Sequence, residues 1–161
     1  MEVVRTWYKN TQISPEHTNL EIRQIYVWII SKDNMIAIVT KKNGESQFPG
    51  GHPEQGETTI KTAQREAYEE TGLDISQNIS QLNQFGYYLI ENESGRYLQL
   101  RYLLKLTSKS QIHPLFMNEK SDEERPVVSA QWVDLFNLPT YIPWTKNLNE
   151  YKCVMDLVLN K

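Results

Sequence analysis

Between Thr59 and Gly72 the chain sets Ile60, Ala63 and Ala67 on one side of a helical wheel and borders that side with carboxylates. At about 100° per residue, Glu70 falls within about 20° of Ala63, and Glu66 lies at the edge of the same sector. Two alanines on the apolar side permit a close approach, so such a helix is suited to lie flat on a sheet. Thr58 and Thr59 can cap its start, and Gly72 can end it in the left-handed conformation with Leu73 making the apolar contact just beyond. This one segment already narrows the fold to helix on sheet.

The remainder of the chain supplies the sheet. "IRQIYVWIIS" at 22–31 and "MIAIVT" at 35–40 are rich in β-branched and aromatic residues. "KDN" between them predicts a hairpin turn, and "KKNG" at 41–44 predicts another. The run "IYVWII" at 25–30 reads as a strand buried on both faces. It is far shorter than the roughly 20 residues needed to cross a bilayer. Two more strands are expected at 84–91 and 97–106, joined by "NESG", and a further one at 128–134. The last 14 residues before the terminal lysine repeat apolar side chains at helical spacing: Tyr151, Val154, Met155, Leu157 and Val158. No repeat or linker interrupts residues 1–161, so a single α/β domain is expected, a mixed sheet covered by helices.

The acids beside the apolar face need an explanation. A solvated acidic face lies opposite the apolar stripe, where water screens it. Here Glu66 and Glu70 border the stripe one turn apart, a spacing at which like charges cost about 0.2–0.5 kcal/mol even on an exposed helix. Arg65 can serve Glu69 from the i, i+4 position, but on the wheel it faces away from Glu66 and Glu70. A hard divalent cation suits such a place, since magnesium favours carboxylate oxygens and retains waters. Taken alone, "REAYEE" is most simply surface charge. The residues upstream reverse that reading: "FPGG" at 48–51 brings a rigid turn and two glycines whose backbone can approach a ligand, and Glu57 stands just ahead of the helix. With 17 Lys and Arg against 20 Asp and Glu, a net charge of −3, no overall basic field exists to attract nucleic acid. An anionic substrate would therefore be held through bound cations.

Residues 51–73 resemble the signature of the Nudix hydrolases, GX5EX7REUXEEXGU, where U is a bulky apolar residue. Gly51 is followed at the required spacings by Glu57, Arg65-Glu66, Glu69-Glu70 and Gly72-Leu73, with Ala67 a small occupant of the first U. Matches at so many fixed positions make the signal strong. The resemblance implies a Nudix-type α/β/α sandwich with a mixed central β-sheet, and hydrolysis of the diphosphate linkage in a nucleotide or nucleoside diphosphate derivative with Mg²⁺ or Mn²⁺. It implies that Glu66, Glu69 and Glu70 ligate the metal, that Arg65 orients a glutamate, and that Glu57 holds the loop or an outer water. The backbone carbonyl near Gly51 would join the ligands, and Glu69 or Glu66 would be the general base. An extra acid often comes from the loop before a late strand in such enzymes, which here singles out Glu123 or Glu124. A homodimer is also an expectation from relatives of this kind.

The motif does not choose the leaving group. Among the aromatics Phe48, Tyr87, Tyr88, Tyr102, Trp132 and Trp144, the first and third are the favoured contacts to a base, by proximity to the expected cleft. Strand aromatics are more often core residues. His52 is expected to be exposed and incidental, and "YIPWTKN" at 141–147 reads as a loop pinned by its rings rather than a lid. The single cysteine, Cys153, reads as a small buried apolar group, and with no apolar core in "MEVVRTWYKN" a cytoplasmic setting is expected. Two other readings stay open: a sensor of the same fold that binds without turnover, and a hydrolase of a non-nucleotide diphosphate.

Overall fold

The computed structural model describes residues 2–115, 127–146 and 148–160. Among them eight strands form one mixed sheet. In chain order these are β1 (Val4–Tyr8), β2 (Ile22–Ser31), β3 (Met35–Lys41), the two-residue β4 (Ser46–Gln47) and β5 (Gly50–Gly51), β6 (Asn83–Asn92), β7 (Gly95–Leu106) and β8 (Val127–Asp134). Helix α1 (Thr59–Thr71) stands between β5 and β6, and α2 (Leu138–Tyr141) and α3 (Asn149–Leu159) follow β8. The spatial order is β1-β6-β7-β2-β3-β4, with β5 against β2 and β8 against β3. β2 runs parallel to β7, and the other pairings are antiparallel.

Alternation along β2 builds two cores at once. Ile25, Val27 and Ile29 face one side, where they pack with Ala63 and Ala67 of α1 and with Tyr87, Leu100 and Leu104. Trp28 and Ile30 face the other, with Ile36, Ile38, Phe48, Val133 and Val154 of α3. The strand is thus buried on both faces, as its unbroken apolar run predicts. The expected turns form where placed: Asn34 takes a positive φ of 59° in the β2–β3 turn, and Gly44 (88°) and Gly95 (116°) sit in the next two. Cys153 is buried, and burial pushes its thiol pKa up, so it is a packing residue and not a reactive one.

β2 and β3 diverge almost at once. Their register joins only Ile30 to Ile36, after which β3 pairs with β8 and β4. Gly50 and Gly51 fill the split, pairing with Tyr26 and Ile25, and the Val27 amide donates to the Pro49 carbonyl at 2.9 Å. A Cβ on Gly50 would collide with the Ile25 carbonyl oxygen, so only glycine lets the loop lie in this gap. The strand β1 has no counterpart among the expected elements. It is a largely exposed edge, too short and too mixed in character to signal itself.

Candidate active site

Helix α1 begins at Thr58, whose hydroxyl accepts from the Lys61 amide at 3.2 Å, and ends at Gly72 with φ 76°. Its buried residues are Thr62, Ala63, Glu66, Ala67 and Thr71. One expectation fails here: Ile60 is 37% exposed and does not meet the sheet. It lies in the first turn, and Thr62 takes the inward place instead, its hydroxyl donating to Glu57 Oε1 and to the Thr58 carbonyl.

Glu66 is 5% exposed and abuts the glycine loop. A Cβ on Gly51 would stand 2.5 Å from Glu66 Oε1 and 2.8 Å from its carboxyl carbon, so the bare glycine is the cradle that admits this carboxylate. Glu69 and Glu70 are half-buried on the following turn. Arg65 joins the acids. Its Nη1 donates to Glu66 Oε1 at 2.8 Å and to Glu69 Oε2 at 3.4 Å, and its Nε donates to Glu57 Oε2 at 2.9 Å. Its Nη2 donates to Glu57 Oε1 and to the His52 carbonyl, both at 2.9 Å. The wheel, which turns Arg65 away from Glu66, is corrected by this geometry: the long guanidinium arm wraps round the helix and clamps its own neighbour.

The charges follow the contacts. The Arg65 hydrogen bonds hold the Glu57 carboxyl below the ordinary glutamate value. Burial pulls the Arg65 pKa down, but the bond to Glu57 and the charge of Glu66 override it, leaving it raised. Glu57 also accepts from the Glu54 amide at 2.6 Å, so it holds the loop closed. The His52 side chain is exposed, and only its carbonyl takes part.

On the sheet face opposite α1 lies a cleft of about 750 Å³. Phe48 and Tyr88 stand in its wall, with Tyr26, Arg101 and Trp144. Burial raises the Tyr26 pKa against the opposing charge of Arg101, with smaller upward contributions from Glu70 and Glu66. Phe48 is 2% exposed and stacks on Trp28 with centroids 4.1 Å apart, while Trp144, 50% exposed, meets it edge-on at 6.0 Å. Tyr87 and Tyr102 are core residues, and Trp132 donates its indole N–H to the Ser110 carbonyl. Neither ring of the 141–147 loop is buried: Tyr141 is 43% exposed and Trp144 50%, the latter at the cleft mouth, and the aliphatic Ile142 is the side chain that packs inward. Glu123 and Glu124 lie outside the described residues.

The floor of the cleft holds residues that motif reasoning misses. Arg101, 3% exposed, donates from Nε to Glu150 Oε1 at 2.6 Å, and the fully buried Glu150 also accepts from Trp28 Nε1 at 2.9 Å. The Arg101 guanidinium lies over the rings of Tyr26 and Tyr88, 4.7 and 5.0 Å from their centroids. The Tyr88 hydroxyl and Glu150 Oε2 are buried without a well-formed hydrogen bond. Burial, then the charge of Glu150, push the Tyr88 pKa up, so the two groups are near one another though not bonded in good geometry. A signal existed for this floor: Gln99 and Arg101, two apart in an otherwise apolar strand, face one side together.

The donor set is all oxygen and suits a hard divalent cation, and the bare Gly51 brings the Glu66 carboxylate against the loop backbone. Yet among the described residues no three His, Cys, Asp or Glu side chains converge closely enough to hold an ion, with Arg65 drawn between Glu66 and Glu69. The residues fit the metal by chemistry, with Arg65 holding Glu66 and Glu69 beside one another.

A mixed sheet between helices, with an acid-lined helix docked on a glycine loop, defines an α/β/α sandwich carrying an acidic site. The chain belongs to the NUDIX domain family, whose model matches residues 21–154, and is a Nudix hydrolase. No curated protein sequence matches it. Among solved structures it is similar to an Ap4A hydrolase from C. elegans, at 13% identity and a TM-score of 0.65 over 87% of this chain and 99% of the other. It is also similar to the Bacillus subtilis pyrophosphohydrolase RppH, at 15% identity and a TM-score of 0.65 over 97% and 92%. The E. coli dihydroneopterin triphosphate pyrophosphohydrolase gives 19% and 0.61, over 89% and 100%. At these identities the likeness is one of fold. Among the described residues no helix is long and apolar enough to cross a membrane.

Proposed function

We infer that this chain hydrolyses the diphosphate linkage of a nucleoside triphosphate or nucleoside diphosphate derivative, by attack of water at phosphorus. The observation that carries this reading is the docking of Glu66 against the bare Gly51 backbone, with Glu69 and Glu70 on the next turn. Glu66, Glu69, Glu70 and the carbonyl near Gly51 would hold Mg²⁺ or Mn²⁺. Such an ion, when bound, neutralises charge on the diphosphate and lowers the pKa of a bound water. Glu69 or Glu66 takes the water's proton as general base. Arg65 sets which carboxylate is available, since it bonds Glu66 and Glu69 together and is anchored by Glu57. Phe48 and Tyr88 would contact the base or the leaving group, a role supported by their position in the cleft wall. A lone free cysteine needs no oxidising compartment, which supports the reading of a cytoplasmic setting.

Glu70→Gln tests the reading. The variant keeps the shape and loses the charge, so it is expected to unfold at the wild-type temperature and to lose at least about a hundredfold of Mg²⁺-dependent product release. Full activity in the variant would remove Glu70 from the ligand set. A screen of nucleoside triphosphates, dinucleoside polyphosphates, ADP-ribose and nucleotide sugars, read by released products, names the substrate. Tight binding of one of these with no product under excess Mg²⁺ or Mn²⁺ would instead favour a binding sensor.

A further inference from the structure

The hydrogen bonds on the cleft floor run in one direction. Glu150, a buried anion, can only accept, so Arg101 donates to it. Arg101 Nη2 then donates to Gln99 Oε1 at 3.5 Å, which fixes the orientation of that amide. With its oxygen committed, Gln99 donates from Nε2 to Gln24 Oε1 at 2.6 Å. Gln24 in turn has its oxygen occupied and presents its NH₂ group. The order is built into the sheet, because Gln24 is the register partner of Gln99 and Tyr26 that of Arg101 across β2 and β7. All three polar residues line the cleft, and Gln99 and Arg101 are 6% and 3% exposed. One buried carboxylate thus polarises a chain that ends in donors.

The surroundings sort the ligands such a floor would take. Among the described residues Arg5 and Lys41 line the same cleft with a single acid, Glu45, so a protein of net negative charge carries here a locally cationic lining. The half-exposed Trp144, braced edge-on by the buried Phe48, offers a ring at the mouth. A planar ring whose edge carries two adjacent acceptors fits both features. The O6/N7 edge of a 6-oxopurine has that pattern, whereas adenine places a donor, its amino group, beside N7. We propose that Gln24, Gln99 and Arg101 form a donor array, oriented by Glu150, that selects a 6-oxopurine nucleotide over an adenine nucleotide. This deepens, and rests on, the reading of the cleft as the nucleotide end of the site.

Binding separates the two. Titration of the intact protein with GMP, IMP and AMP in EDTA, followed by tryptophan fluorescence, involves no turnover. GMP and IMP are expected to bind with similar affinity, each about tenfold or more tighter than AMP. Gln24→Glu presents an acceptor where the amide presented a donor, and it is expected to bring the GMP-to-AMP ratio to one or below. Gln24→Met, which has neither, is expected to bring the ratio close to one, and thermal melts establish that both variants fold. Equal affinities in the wild type, binding of none of the three, a ratio unmoved by both variants, or displacement of GMP by inorganic pyrophosphate alone at equal potency would each overturn the array. Absence of hydrolysis with the discrimination intact would overturn only the hydrolase reading, and vigorous hydrolysis without discrimination only this one.

Discussion

Arg65 carries more of the site than any other single residue. Its guanidinium holds Glu57, Glu66 and Glu69 and the His52 carbonyl, so the loop, the helix and the acids share one cation. Glu57 is the partner whose titration reports this. Its folded pKa is depressed below the ordinary 4.5, chiefly by the Arg65 bond. A depressed carboxylate contributes stability that is complete above its unfolded pKa and is lost as pH falls through the folded value. Wild type is therefore expected to melt above Glu57→Gln at pH 7, with the gap shrinking as pH drops below about 4.5 and vanishing well below it. A gap independent of pH would show that the pair makes no electrostatic contribution. The sequence positions of these acids were legible because the spacing is fixed by one helix and one loop. The Arg65–Glu66 clamp was not, since a wheel gives the direction of a Cβ and not the path of a long side chain.

At the scale of elements, α1 was readable to its last residue. Thr58 and Gly72 are local signals whose chemistry acts within a turn of themselves, and both act as read. Gly72 has a second constraint in the tertiary structure: a Cβ there would lie 3.2 Å from the His113 carbonyl oxygen, while the His113 amide bonds the Thr71 carbonyl. Gly72→Ala is accordingly expected to destabilise by about 1–2 kcal/mol from the left-handed backbone alone. Urea unfolding checks this, and an unchanged midpoint would mean that the helix end has relaxed. β2, β3, β6, β7 and β8 were visible through alternation or unbroken apolar runs. The insertion of β5 between diverging β2 and β3 was not, because two glycines carry no pattern and their place is set by the strands around them. β1 was missed for a different reason, being an edge whose outer face is solvent.

Across the whole molecule, the Arg101–Glu150 pair ties the central strands to the first turn of α3. Nothing in the local sequence announces a contact between residues 49 apart, and buried charges defeat any rule that puts ionic groups outside. Both partners are almost wholly buried, so removing one charge leaves the other without compensation. Glu150→Gln is expected to cost about 3–5 kcal/mol in chemical denaturation. A loss under about 1 kcal/mol would show that the pair is balanced by its own desolvation.

The bond from the Val27 amide to the Pro49 carbonyl reaches further than its length suggests. Val27 is fully enclosed at the centre of the sheet, so swinging the glycine segment outward would strand a buried N–H at about 1–3 kcal/mol. That side of the entrance is a fixed jamb. Whatever breathing admits a ligand must come from elsewhere on the rim, and Trp144, half in water against Phe48, is the side chain free to supply it.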